Sequence, residues 1–108
     1  MNEVECARVI ELLQRDVIGT IGEAHAAYTL HRAAELRAMG LASDEKLVED
    51  VQQEIHDTFV DTSWPECPRH GKHPLWYRAG AWYCDAVDRP VAMLGTLAEL
   101  RRRQAPAR

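Results

Sequence analysis

No apolar run in the 108 residues approaches the ~20 that a membrane-spanning helix needs, so the chain is expected to be soluble, with no membrane partner. The opening Met-Asn-Glu-Val-Glu has neither a basic n-region nor an apolar h-region. No secretory signal is therefore expected, and the expected compartment is the cytoplasm. Glycine-rich phosphate loops, nucleophile elbows and dinucleotide fingerprints are missing, as is a His-Glu-x-x-His pair beside His56. Internal repeats and low-complexity tracts are missing too. Cysteine is scarce and odd in number, with Cys6, Cys67 and Cys84 only. An odd count in a reducing compartment argues against a disulfide framework and for metal ligation or buried thiols.

What is present suits one modest globular domain. Hydrophobic residues make up 46% and charged residues 28%, which is too apolar for a wholly disordered chain. The net charge of −4 is unevenly spread. Residues 1–63 carry five Lys or Arg against thirteen Asp or Glu, whereas residues 64–108 carry eight against four. The basic part ends in Arg101-Arg102-Arg103, where cations suit the C-terminal pole of a helix. Such a split also marks nucleic-acid-binding ends, or ends that attract one another in an oligomer.

Three helices are predicted in residues 1–60. Asn2 caps the first, with Val4, Val9, Ile10, Leu13 and Val17 as its apolar stripe and Gly19 as its stop. Cys6 reads as a small buried hydrophobe on that helix. Thr20 and Glu23 have capping-box spacing and are expected to open a second helix that runs to Met39, with Gly40 just beyond. Its small face of Ala26, Ala27, Leu30, Ala33 and Ala34 suits close packing, within the chain or in a homodimer. His31 and Glu35 make a surface pair at i,i+4. Ser43-Asp44-Glu45 starts the third helix, with Leu47, Val51, Ile55 and Phe59 four residues apart.

Composition changes at Asp61. Leu75–Arg78 and Ala81–Cys84, joined by Ala79-Gly80, predict a β-hairpin. After Pro90, Val91, Leu94, Leu97 and Ala98 fit a helix, while Pro90 and Gly95 fit a third strand, Val91–Leu94, followed by a short helix, which is the favoured expectation. Trp64, Trp76, Trp82 and Tyr83 are expected to form a small core around the chemistry of this segment.

That chemistry is Cys67-x2-His70-x2-His73, a hairpin, and then Cys84. A tetrahedral zinc ion takes four N or S ligands from tight turns, and Pro68 and Gly71 favour such turns. The closed Cys2His2 set Cys67, His70, His73 and Cys84 is expected to hold one Zn2+ per chain in a structural role. Residues 64–84 resemble the zinc-ribbon and zinc-knuckle class and, more loosely, small bacterial proteins with a Trp-Pro-x-Cys-Pro-x-His…His-Pro-Leu-Trp…Trp-x-Cys segment. An ordinary zinc ribbon has a second Cys-x2-Cys knuckle, whereas Cys84 is followed only by Asp85 and Asp88, either of which is an alternative to His73.

The expected fold is α+β and mainly α. It has a helical part (1–60), a zinc-ribbon-like module (61–97) and a helical, basic tail (98–108), in one compact unit. The leading expectation for function is a non-enzymatic interaction or regulatory protein with a structural metal and a helical surface for protein partners or self-association. The alternatives are a nucleic-acid-binding regulator using the basic, aromatic C-terminal part, and a zinc-dependent hydrolase with Cys67, His70 and Cys84 as ligands. The acidic helices disfavour tight binding to duplex DNA.

Overall fold

The computed structural model describes residues 3–40, 43–58, 64–67, 73–85 and 89–104. In chain order these form α1 (Glu3–Ile21), a 3-10 turn (Glu23–His25), α2 (Ala26–Ala38) and α3 (Asp44–Thr58), then β1 (Trp76–Arg78), β2 (Ala81–Tyr83), β3 (Pro90–Met93) and α4 (Leu97–Gln104). The fold is α+β and mainly helical, with a three-stranded antiparallel sheet in the order β1-β2-β3 and a C-terminal helix. No helix among the described residues is long and apolar enough to cross a membrane.

The apolar stripes set the helix faces. Ile10, Leu13 and Val17 of α1 are buried, and Cys6 lies with them. Val4, expected in that stripe, is instead 79% exposed. Leu47, Val48, Val51 and Ile55 of α3 are fully buried. The Ser43 side chain accepts from the Lys46 N–H at 3.1 Å, so α3 is capped as its sequence predicts. The capping expected of Asn2 and the stripe position of Phe59 lie outside the described residues.

Two helix-end signals resolve differently. Gly19 does not stop α1, which continues to Ile21 and ends at Gly22, where φ is +97°. The Gly22 N–H closes the last turn on the Val17 and Ile18 carbonyls, both at 3.2 Å. Gly19 instead marks a close helix crossing, since a Cβ placed there would lie 2.6 Å from Cβ of Ala98 in α4. The Thr20 and Glu23 capping box also does not form. The Thr20 hydroxyl bonds back to the Asp16 carbonyl at 2.6 Å within α1, and α2 begins only at Ala26 after the 3-10 turn. Among the described side chains of α2, Thr29, Ala33 and Leu36 are buried, while Ala27 and Ala34, expected on the packing face, are exposed. The side chains of Ala26 and Leu30, expected there too, lie outside the described ones.

The α1–α4 crossing gives a direct test. Gly19→Ala would gain about 1 kcal/mol of helix propensity, but it forces a methyl into a contact that neither backbone can relieve by a rotamer change. Overpacking of this kind costs about 1–3 kcal/mol. A net loss of about 1 kcal/mol is expected in urea unfolding, and a gain in stability would show that the crossing is not tight.

In the sheet, Trp76 pairs with Tyr83, Tyr77 with Trp82 and Arg78 with Ala81, and Ala81 in turn faces Met93. Ala79 and Gly80 both have positive φ, +49° and +83°, as a type I′ hairpin turn requires. The inner face presents Tyr77, Trp82 and Ala92 to the helices. One hydrophobic cluster then runs from Cys6 through α2, α3, Trp64 and Trp82 to Leu100. The helices and the sheet share this core.

Candidate functional site

Cys67 and His73 lie on a short antiparallel pair that leads into the sheet. The Cys67 N–H donates to the His73 carbonyl at 2.8 Å, and the Leu75 N–H donates to the Pro65 carbonyl at 2.6 Å. Glu66 bridges Pro74 between them, so residues 64–67 and 73–75 run side by side. The second strand of this pair leads into β1, and Cys84 directly follows β2. Cys67 and Cys84 are both reduced and buried, at 2% and 5% exposure, whereas His73 and Asp85 are exposed. His70 and Asp88 lie outside the described residues. Among the described residues no group of three or more His, Cys, Asp or Glu side chains converges as metal ligands.

Sequence reasoning missed the polar groups that hold this segment on the helices. Asp16 of α1 is fully buried and accepts three hydrogen bonds. Its Oδ2 takes the Trp82 Nε1–H and the Gly95 N–H, both at 2.8 Å, and its Oδ1 takes the Leu97 N–H at 2.9 Å. Leu97 opens α4, so a carboxylate from α1 caps a helix that follows it by eighty residues of chain. Burial pushes the Asp16 carboxyl above its ordinary value, and the Trp82, Gly95 and Leu97 donors pull it partly back. One turn later the Thr20 hydroxyl accepts the Trp64 Nε1–H at 2.8 Å. Two acceptors at i,i+4 on α1 therefore hold the indoles of the two core tryptophans, which pack edge to face at 5.6 Å.

From α3, the buried Gln52 amide donates to the Trp64 carbonyl at 3.0 Å and to the Leu75 carbonyl at 2.6 Å. It thereby joins both strands of the pair that carries Cys67 and His73. His56, which has no motif around it, lies one turn on, with Nε2 2.9 Å from both the Trp64 nitrogen and the Trp64 oxygen. The Tyr77 hydroxyl donates to Asp44 Oδ2 at 2.7 Å, and burial, then Asp44 itself, pushes that hydroxyl far above its ordinary value. A sequence signal existed for one of these residues. Asp16 adjoins Val17 and follows Leu13 by three residues, so it is a charge placed on an apolar stripe.

The aromatic residues divide between the two faces of the sheet. Trp64 and Trp82 are core, as expected, but Trp76 is 41% exposed and Tyr83 only half-buried. Strand alternation puts these two on the outer face, away from the helices. Arg78 lies across them, with its guanidinium carbon 4.4 Å from the Tyr83 ring centroid and 5.6 Å from that of Trp76. His31 and Glu35 form the expected surface pair at 3.3 Å. Comparison of the chain with family models, with curated proteins and with solved structures finds no match.

Proposed function

We propose that this chain is a small non-enzymatic interaction protein whose 64–84 segment is stapled by one zinc ion. Cys67, His70, His73 and Cys84 would be the ligands, and the helical surface would serve protein partners or a second copy. The observation that supports this most is the pairing of residues 64–67 with 73–75. It sets Cys67 opposite His73, and Cys67 and Cys84, the latter directly after β2, are buried, reduced thiols. Two thiols and two imidazoles are the donor chemistry of a closed structural zinc site. Exposed Ile18 and Met39 offer apolar ground on the helical side.

The test is the metal content of protein expressed without an affinity tag. About one zinc per chain is expected, with Cys67 and Cys84 protected from thiol reagents until a chelator is added. Metal well below half an equivalent, with both thiols reacting in the native protein, would overturn the proposal.

A further inference from the structure

The outer face of the sheet carries the guanidinium of Arg78. Arg78 is exposed and its guanidinium lies against two rings, and no ion pair or hydrogen bond among the described residues involves it. The register explains its posture. Arg78 stands opposite Ala81, whose methyl leaves room for the longer side chain to lie diagonally over Tyr83. Stacking on the rings holds the planar guanidinium in place on an exposed residue, which lowers the ordering cost of binding an anion. Beside it Trp76 exposes ring surface, and Met93, across Ala81, is 56% exposed. Arg89, also exposed, precedes Pro90, the partner of Tyr83.

We infer that this face binds single-stranded nucleic acid, with a backbone phosphate on Arg78 and a base stacked on Trp76. Three features favour this occupant. Arg78 on the face and Arg89 just before β3 are exposed cations, whereas the acidic residues 1–63 would repel phosphates. A guanidinium fork matches phosphate oxygens two at a time. The flat rings beside it suit bases, which stack without regard to sequence. An acidic peptide would use Arg78 but leave the rings idle, and a duplex keeps its bases stacked on one another. This inference is independent of the zinc proposal, since Trp76, Arg78 and Tyr83 are not metal ligands.

The experiment is fluorescence anisotropy of a labelled oligodeoxythymidine of about 12 nucleotides at low salt, titrated with the full chain. Saturable binding is expected, tighter than to a hairpin duplex of the same length. Trp76→Ala should weaken it about 5-fold or more, the loss of one stacked base. Arg78→Lys, which keeps the charge but not the fork, should weaken it on the order of 5-fold. Removing the charges of Arg102 and Arg103, on α4, should do less. Circular dichroism of each variant confirms that it folds, and because Arg78 is exposed, Arg78→Lys remains informative if Trp76→Ala does not fold. Absence of binding, equal affinity in wild type and Arg78→Lys, equal affinity for duplex, or displacement by an oligo-aspartate peptide at comparable concentration would each overturn the inference.

Discussion

Asp16→Ala is expected to destabilise the protein by about 3 kcal/mol, the largest effect of any single polar side chain here. The substitution removes the acceptor for the Trp82 Nε1–H, the Gly95 N–H and the Leu97 N–H. The indole and the Leu97 amide are buried, and each unsatisfied buried donor costs about 1–3 kcal/mol. Relief of the buried carboxylate's own desolvation offsets part of that sum. Asp16→Asn is informative because it is isosteric. Either orientation of the amide points an NH2 group at a donor, at Trp82 and Gly95 or at Leu97, so a loss of about 2 kcal/mol is expected. For a domain of this size 3 kcal/mol lowers the melting temperature by roughly 10–20 °C. Variants that melt within a few degrees of wild type would show that the three donors find water or other partners.

The same carboxylate predicts the sign of a pH effect. Its folded-state pKa is raised above the ordinary 3.8, so the folded protein holds this proton more tightly than the unfolded chain does. The cost of burying the ionised form is present at neutral pH. It is relieved as pH falls through the raised value, and relief is complete below the ordinary one. Asp16→Asn has no such titration. The stability gap between wild type and Asp16→Asn is therefore expected to widen as pH falls from neutral towards the ordinary carboxyl range. Denaturant midpoints of both proteins across that range check it, and a narrowing gap would mean that the three donors outweigh burial.

Chelation of the proposed zinc carries the other large effect. A closed site contributes on the order of 10 kcal/mol of apparent binding energy, comparable to the total stability of a small domain, about 5–15 kcal/mol. Cys67→Ser and Cys84→Ser should each cost far more than the ~1–3 kcal/mol of placing an ill-partnered hydroxyl in a buried thiol position. The emission of Trp64 and Trp82 should shift to the red as their burial is lost, while Trp76, already exposed, changes little. Because both core indoles hang on Thr20 and Asp16 of α1, the helical signal is expected to fall in the same transition. Serine variants no weaker than an ordinary buried Cys→Ser change, together with melting indifferent to a chelator, would dispose of the staple.

What could be read from the sequence was what neighbours along the chain decide. The Ser43 cap, the stripe of Leu47, Val51 and Ile55, the Ala79-Gly80 hairpin and the strand and helix after Arg89 all rest on signals a few residues apart, and all appear in the fold. The errors share one origin. Gly19 looked like a helix stop because its role, admitting Ala98, involves a residue far along the chain. Thr20 looked like a cap because the Trp64 indole it serves is 44 residues away. Trp76 looked like core because an aromatic-rich run does not say which face of a sheet the helices cover.

The candidate site divides in the same way. The spacing of Cys67, His70, His73 and Cys84 was legible, but the pairing that sets Cys67 opposite His73 was not. Nor were the groups that seat this segment on the helices. Gln52 and His56 read as ordinary helix residues until α3 is brought against the sheet, and Asp16 shows only as a charge on an apolar stripe. By itself the sequence determined the type of the main helices and strands, because propensity, capping and turn conformation are local free energies. Only the tertiary structure decided which buried polar groups find partners and which face of the sheet stays open. Those outcomes depend on desolvation and packing between segments that meet only after folding.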